Sequence, residues 1–121
     1  LLLCLPCKLQ VVVHSRPRVT LPALLDTGSD FTAVPTGLVS RLRLYARPIL
    51  LEDFSGETRE AFLYGVRLGF ADQPVKEMQV MVTGLPFVIL GRDWFSEYYL
   101  LLNGPDQQFQ ISQVPLLDQA P

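Results

Sequence analysis

The sequence predicts an all-β, barrel-like domain, and three observations lead to this prediction. Of the 121 residues, 49% are hydrophobic and only 18% are charged, a balance typical of a globular domain. Apolar and polar residues alternate over many short segments, which indicates strands with one buried face. Turn-forming residues separate these segments, and the chain contains no linker or internal repeat. We therefore expect a single domain over residues 1–121, with its core at about 8–111.

The first half of the chain predicts strands that lead towards a loop rich in polar residues. Leu9, Val11 and Val13 alternate with polar residues, so a half-buried strand is expected there. In chain order, the expected elements are a strand around 9–13, a turn at 16–18, a strand at 19–25, a loop at 27–30, extended structure at 31–34, and a short helix at 36–42 with Thr36 as its N-cap.

The second half predicts further strands and one convincing helix. The longest alternation, at 62–70, is a strong strand signal. In chain order, the expected elements are a strand at 49–54, a turn at 55–57, a strand at 62–70, a turn at 71–74, strands at 75–82 and 87–90, a helix at about 94–99 capped by Asp93, and strands at 100–102 and 107–111 around a turn at 103–106. The tail from Gln113 is expected to be irregular.

Charge and hydropathy exclude two kinds of partner. A net charge of −2 provides no basic surface for nucleic acid or for an anionic membrane. No apolar run reaches the length of a membrane span, and Leu1 to Leu5 is too short and lacks the basic start of a signal peptide. A chain this small has little interior for so much apolar surface, which favours a buried subunit interface.

The two cysteines, Cys4 and Cys7, form a C-x-x-C pair whose role stays open. A zinc site needs about four ligands, and His14 is the only histidine. A thioredoxin-like motif would be followed by a helix, whereas a run of valines at 11–13 follows here. We favour two small residues near a terminal strand, and a solvated turn at His14.

The most informative segment is Leu24-Leu25-Asp26-Thr27-Gly28-Ser29-Asp30, in which an apolar strand leads into a carboxylate, a hydroxyl and a glycine. This arrangement can hold a carboxylate at the floor of a cleft and let a peptide backbone approach it. An Asp-Thr-Gly turn alone is a weak signal. A second segment strengthens it, because Phe87-Val88-Ile89-Leu90-Gly91-Arg92-Asp93 is another apolar strand that ends in a glycine and a charged pair.

Together, Leu24 to Asp30 and Ile89-Leu90-Gly91-Arg92-Asp93 resemble the motifs of the retropepsins, the single-lobed aspartic proteases of retroviruses and retrotransposons. The resemblance covers about residues 8–111, and Arg92-Asp93-Trp94-Phe95 with a following hairpin is most similar to the Ty3/gypsy branch. It implies a closed barrel with one short C-terminal helix, assembled as a two-fold homodimer. It also implies a polyprotein substrate, no metal or other cofactor, and an intracellular location or a virus-like particle.

The resemblance implies that Asp26, Thr27 and Gly28 are catalytic residues. Two Asp26 carboxylates would meet across the two-fold axis and share one proton. One would act as a base on water while the other protonates the scissile carbonyl. Thr27 would tie the two loops together, and Gly28 would leave room for substrate. We expect the Ser29 hydroxyl to donate to Asp26, which would lower the pKa of the dyad and give an acidic optimum.

Asp30 and Arg92 are expected to be partners, with Gly91 in a supporting role. In the family, the Arg after the glycine packs against the Asp four residues beyond the catalytic one, and a guanidinium can bind that carboxylate at two points. Burial would make isolated charges costly, which favours the pair over two solvated charges. Asp30 can also contact the substrate backbone.

The resemblance also implies a flap and apolar pocket walls. The flap candidate is the hairpin at 52–58, with Phe54, Ser55 and Gly56 near its tip; a plain surface hairpin is equally compatible with the pattern. Its acids favour basic or polar substrate residues near the cleavage site. The implied pocket walls are Leu24, Pro86, Phe87 and Ile89, of which Leu24 and Phe87 could equally be core residues.

Three functions remain open from the sequence. An endopeptidase is favoured, and the main alternative is a non-proteolytic, domesticated domain for dimerisation or peptide binding. The intact Asp26-Thr27-Gly28 argues against that alternative, since a binding module needs no carboxylate there. Half of a two-lobed pepsin-like enzyme is a third possibility, but a chain of this length has no room for the second lobe. The strand at 107–111 is one candidate for the dimer interface.

Overall fold

The computed structural model describes residues 2–4, 9–70 and 73–115 of the chain. These residues form ten strands and two short helices. In chain order the elements are β1 Leu2–Cys4, β2 Leu9–Val13, β3 Val19–Leu25, β4 Ala33–Pro35, α1 Thr36–Leu42, β5 Ala46–Glu52, β6 Thr58–Gly69, β7 Lys76–Thr83, β8 Val88–Leu90, α2 Arg92–Phe95, β9 Tyr99–Asn103 and β10 Gln108–Ser112.

Seven of the strands form one sheet in the order β2-β3-β8-β4-β7-β6-β5. Most neighbours are antiparallel, but β3 pairs in parallel with β8, and β4 pairs in parallel with β7. Strand β2, the first in this order, also pairs with β6, the last but one, through Val12↔Gly69 and Val13↔Leu68. The mostly-β architecture confirms the predicted fold class, while the closed barrel stays a prediction.

Alternating apolar residues build the core, as the sequence pattern predicts. Val11 and Val13 of β2 are buried, and so are Val66 and Leu68 of β6. All three residues of β8 are buried as well, which explains why this strand is uniformly apolar. Because β8 lies between β3 and β4, its carboxyl end is fixed in the middle of the sheet.

Trp94, the single tryptophan, closes the core behind the end of β8. It is 2% exposed, packs edge-on against Phe70 with ring centroids 5.4 Å apart, and stacks on Tyr98 at 5.1 Å. Burial raises the pKa of the Tyr98 hydroxyl, and the negative charge of Glu97 adds to the rise. Aromatic packing thus anchors the one-turn helix α2 to the sheet.

The helices differ from their predictions at their first residues. Thr36 does not cap α1: it is the first helical residue, and its hydroxyl donates to the carbonyl O of Thr83 at 3.1 Å. Helix α2 is a single turn, with Gly91 rather than Asp93 in the N-cap position. The sequence predicts a helix to about Tyr99, but α2 ends at Phe95 and Tyr99 is the first residue of β9. Neither described helix is long or apolar enough to cross a membrane.

Three strands near the chain ends form a separate sheet in the order β1-β10-β9. The predicted hairpin at 100–111 is confirmed, because β9 and β10 pair from Tyr99↔Ser112 to Asn103↔Gln108. Strand β10 is the central strand, with β1 on its other side. Both edges of β10 are paired within this chain, and a dimer interface through 107–111 stays a prediction. The side chains of Cys4 and Cys7 lie outside the described part of the chain.

Candidate active site

Asp26 lies where two parallel strands end side by side. Strands β3 and β8 pair in the register Leu24↔Ile89 and Leu25↔Leu90. The Asp26 amide continues this pairing and donates to the carbonyl O of Leu90 at 3.0 Å. The backbone of Asp26 is thus fixed by a buried strand, while its side chain is only partly buried. Local sequence explains this position, since the apolar strand stops at the first carboxylate.

The loop after Asp26 folds back onto the carboxylate. The Gly28 amide donates to Asp26 Oδ1 at 2.9 Å, and the Ser29 amide donates to the carbonyl O of Asp26 at 3.2 Å. A Cβ atom at Gly28 would lie 3.3 Å from Asp26 Oδ1, tighter than most real Cβ contacts. Glycine at this position therefore keeps the carboxylate close to the loop backbone. Thr27 and Gly28 are both exposed.

The predicted hydrogen bond from Ser29 to Asp26 is wrong. The Ser29 hydroxyl donates instead to the carbonyl O of Phe31 at 2.8 Å, within the same loop. This acceptor lies two residues along the chain, so the loop satisfies the hydroxyl locally. The acidic optimum that we derived from a Ser29–Asp26 bond therefore has no support from this geometry.

The predicted pair between Asp30 and Arg92 is present. One guanidinium nitrogen, Arg92 Nη2, contacts Asp30 Oδ1, and the Arg92 amide donates to the carbonyl O of Ser29 at 2.8 Å. The Arg92 side chain is 56% exposed and that of Asp30 is 70% exposed, so the cost of burying isolated charges does not explain this pair. A single contact replaces the expected two-point fork. The pair joins the Asp26 loop to the end of β8 at the surface.

Gly91 is essential to the close approach of the two segments. A Cβ atom at this position would lie 2.5 Å from the carbonyl O of Phe31 and 3.0 Å from that of Ser29. Both neighbours are backbone atoms, which cannot move without distorting the loop. The supporting role predicted for Gly91 thus has a steric explanation.

Sequence reasoning missed a buried polar contact of the site. Thr32 is completely buried, and both its polar groups donate to the Asp93 carboxylate: the hydroxyl to Oδ1 at 2.7 Å and the amide to Oδ2 at 3.1 Å. The Thr32 hydroxyl also accepts a bond from the Gly91 amide at 3.0 Å. The only sequence signal was the acid directly after Gly91-Arg92, and we interpreted it as a helix cap.

Lys76 completes this support from β7. Its ammonium donates to the carbonyl O of Asp93 at 2.7 Å and to that of Trp94 at 3.2 Å, and it lies 3.8 Å from Glu97 Oε1. The Lys76 side chain is 19% exposed. A positive charge beside the backbone carbonyls of a single helical turn replaces hydrogen bonds that so short a helix cannot make.

The hairpin predicted as a flap is formed by β5 and β6, which pair from Ala46↔Tyr64 to Glu52↔Thr58. At its tip, Asp53 Oδ1 accepts bonds from the Ser55 hydroxyl at 2.6 Å and from the amides of Ser55 and Glu57 at 2.9 and 3.0 Å. The bond from the Ser55 hydroxyl is the main reason that the pKa of Asp53 lies below its ordinary value of 3.8. Desolvation opposes this shift, and the amides of Glu57 and Ser55 add to it.

The tip residues are open to solvent. Gly56 has a φ of 84°, which a residue with a side chain rarely adopts, and Phe54 is fully exposed. Strand β5 is at the edge of the sheet order, and three strands separate it from β8. The structure of this chain therefore shows an exposed hairpin with an ordered tip, and its role as a flap stays a prediction.

The predicted pocket walls divide into two groups. Leu24 and Ile89 are register partners beside Asp26; Leu24 is 50% exposed and Ile89 is 9% exposed. Pro86 is exposed and Phe87 is partly buried in the segment that leads into β8. Leu24 thus presents apolar surface beside Asp26, whereas Pro86 lies before the start of β8. Across the described residues, no group of three or more His, Cys, Asp or Glu side chains is placed to hold a metal ion.

Solved structures of retroviral proteases are similar to this chain in fold, among them the following two. The solution structure of the simian foamy virus (mac) protease matches with a TM-score of 0.57 and 17% identity, over 74% of this chain and 92% of that protein. EIAV protease, solved with the inhibitor HBY-793, matches with a TM-score of 0.53 and 26% identity, over 74% of this chain and 85% of that protein. No family model and no curated protein sequence matches the chain. The fold is therefore that of the retroviral proteases.

Proposed function

We propose that this chain is an aspartic endopeptidase that acts as a two-fold homodimer. The observation that carries the proposal is the position of Asp26, at the point where β3 and β8 end side by side. The fold shared with two retroviral proteases supports it. The chain contains a single Asp-Thr-Gly segment, so a dyad of carboxylates needs a second copy.

In the proposed dimer, the two Asp26 carboxylates hold one proton between them, because two negative charges at such short range are unfavourable. The charged carboxylate takes a proton from a water molecule, and the protonated one donates to the scissile carbonyl oxygen. The loop contributes rigidity, since the bond between the Gly28 amide and Asp26 Oδ1 orients the carboxylate.

The proposed substrate is a polypeptide with large apolar residues beside the scissile bond. The exposed apolar side chain of Leu24, two residues before Asp26, supports this preference. The exposed Phe54 at the hairpin tip is suited to cover such a substrate. A polyprotein of a retroelement of the Ty3/gypsy kind, cut within a cell or a virus-like particle, is the natural substrate that we propose.

The proposed dimer uses the small sheet near the chain ends. Strands β1 and β9 form its edges, and among the described strands each pairs only with β10. On β9, Tyr99, Leu101 and Leu102 are between 43% and 54% exposed. Apolar side chains on an unpaired edge strand favour pairing with another chain.

The test is proteolysis of casein by the purified chain between pH 4 and pH 7, with Asp26→Asn as the matched control. We expect cleavage by the parent chain, no cleavage by Asp26→Asn, and inhibition by a statine-type transition-state mimic. Sedimentation velocity on the same samples measures the oligomeric state. A folded dimer that cuts nothing across this pH range would favour the alternative, a non-proteolytic domain for dimerisation or peptide binding.

A further inference from the structure

A groove crosses the outward face of β6, far from Asp26. It consists of two adjoining concavities of about 530 and 470 Å³ that share Gly65 and Gln79. One concavity reaches His14 and Leu44, and the other reaches Arg47. Val13 lines the first concavity and pairs with Val19 at the start of β3, whereas Asp26 follows the end of β3. The groove therefore lies about one strand length, roughly 20 Å, from Asp26.

A change of pairing partner along β6 produces the groove. One edge of β6 pairs with β5 as far as Tyr64 and with β2 from Leu68 onwards. The intervening residues, 65–67, have no register partner on that edge, although the His14 amide donates to the carbonyl O of Arg67 at 2.8 Å. The two neighbouring strands diverge here, and a depression opens between them.

Gly65 forms the floor, and the fold itself gives no reason for a glycine at this position. A Cβ atom would meet nothing within 4 Å, and the φ of Gly65 is not positive. Glycine weakens the interior of a strand and often marks a place where another backbone approaches closely. Gly69 and Gly91, in contrast, are each crowded by a neighbour at 2.5 Å.

Two arginines, Arg47 and Arg67, lie beside this floor. Arg47 reaches across β6, where its Nη1 donates to Gln79 Oε1 at 3.4 Å, and Gln79 is the register partner of Gly65. Arg67 follows Gly65 on the same face and is exposed. Glu77 is the one carboxylate that lines either concavity, and it is the register partner of Arg67. No described residue forms an ion pair with the Arg67 guanidinium within 4.0 Å.

We propose that this groove is a second binding site, which takes an extended peptide segment with carboxylates on alternate residues. The glycine floor admits the peptide backbone, and Arg47 and Arg67 bind the carboxylates. Because Arg47 Nη1 contacts Gln79, the register partner of Gly65, its guanidinium lies about level with Gly65. Arg67 is two residues further along β6, about 7 Å, which equals the spacing of side chains on one face of an extended chain. The site is independent of the proposed proteolysis, because none of its residues contributes to the Asp26 loop.

The test is fluorescence anisotropy with labelled synthetic decapeptides and the Asp26→Asn chain, which cannot cut them if the chain is a protease. One peptide carries Glu-Thr-Glu in a Ser/Thr background; its controls carry adjacent Glu-Glu or Lys-Thr-Lys. We expect the Glu-Thr-Glu peptide to bind most tightly, with an affinity that falls as salt rises. Equal binding of all three peptides would overturn the proposal.

Four variants locate the peptide. Gly65→Val fills the floor with a residue favoured in strands, so it should fold normally and weaken binding about ten-fold or more. Arg67→Glu should weaken binding to a similar extent, and Glu77→Gln should strengthen it. Arg59→Glu makes the same charge change at the far end of β6 and should alter affinity less than about two-fold.

Two results would assign the groove to another occupant and overturn the proposal. Gly65→Val or Arg67→Glu could change the oligomeric state in sedimentation velocity, which would mean that a second copy of the chain lies there. Alternatively, a single-stranded oligonucleotide could displace the Glu-Thr-Glu peptide at equal concentration. Circular dichroism and urea unfolding of each variant ensure that lost binding is not lost folding.

Discussion

The loop that carries Asp26 and the hairpin of β5 and β6 are stabilised by opposite means. Buried contacts hold the loop: fully buried Thr32 bonds to the Asp93 carboxylate, and Gly91 packs against the loop backbone. Hydrogen bonds within the exposed turn around Asp53 hold the hairpin tip. The loop therefore depends on buried contacts between distant segments, whereas the hairpin tip depends on local bonds that are open to solvent.

The largest expected effect comes from removing the acceptor behind the loop. Asp93→Ala leaves the buried hydroxyl and amide of Thr32 without their partner, so we expect the free energy of unfolding to fall by about 2 to 4 kcal/mol. Urea unfolding followed by fluorescence of the buried Trp94 measures the change. Asp93→Asn is the matched control: it retains an oxygen for the amide and should lose about 1 kcal/mol. Equal losses for both would mean that the carboxylate is not the support.

Gly91→Ala tests the steric part of the same support. The added Cβ atom must displace the Phe31 carbonyl, and we expect a loss of about 1 to 3 kcal/mol in the free energy of unfolding. Gly37→Ala is the control, because a Cβ atom there meets nothing within 4 Å and lies in helix α1. That variant should be neutral or slightly stabilising. If the two variants were equally stable, close packing at Gly91 would not matter.

The exposed pair at the rim of the loop should matter less. Both side chains are more than half exposed, so Arg92→Ala is expected to cost at most about 1 kcal/mol. A double-mutant cycle with Asp30→Ala isolates the coupling between the charges. The coupling should disappear in high salt, since solvent ions screen surface pairs. A coupling that high salt leaves unchanged would contradict a surface pair.

The smallest effect is expected at the hairpin tip, and it depends on pH. Hydrogen bonds to the charged carboxylate lower the pKa of Asp53. The turn is therefore stabilised at pH values above the ordinary value of 3.8, and this contribution is lost as the pH falls through the lowered pKa. Amide chemical shifts of Ser55 and Glu57 during an NMR titration report the loss. Asp53→Asn should abolish this titration and leave global unfolding unchanged.

Much of the fold was predictable because alternation and turn chemistry are local signals. The run from Val19 to Leu25 was predicted with its observed bounds, and the hairpin of β9 and β10 was confirmed. The pair of Asp30 and Arg92 came from the resemblance to a family, and the structure contains it. Its reason was wrong, however, because burial of a loop cannot be judged from residue types alone.

The missed and mistaken contacts all join segments whose relation depends on packing. Thr32 and Asp93 are far apart in sequence, and nothing in the local pattern shows that one accepts two bonds from the other. The sequence favoured Asp26 as the acceptor for the Ser29 hydroxyl, but the path of the loop places the carbonyl O of Phe31 there instead. The groove at Gly65 exists only because β6 changes partners between β5 and β2.

The sequence by itself determined the strands, the turns and the residue at which a carboxylate ends a buried strand. These features follow from hydrophobic periodicity and from the backbone preferences of Gly and Pro, which act over a few residues. Only the tertiary structure decided what holds the loop that follows that carboxylate: a buried Thr32, an Asp93 that is no helix cap, and a Gly91 that contacts backbone. The reason is physical, since the cost of an unsatisfied buried group depends on which distant atoms surround it.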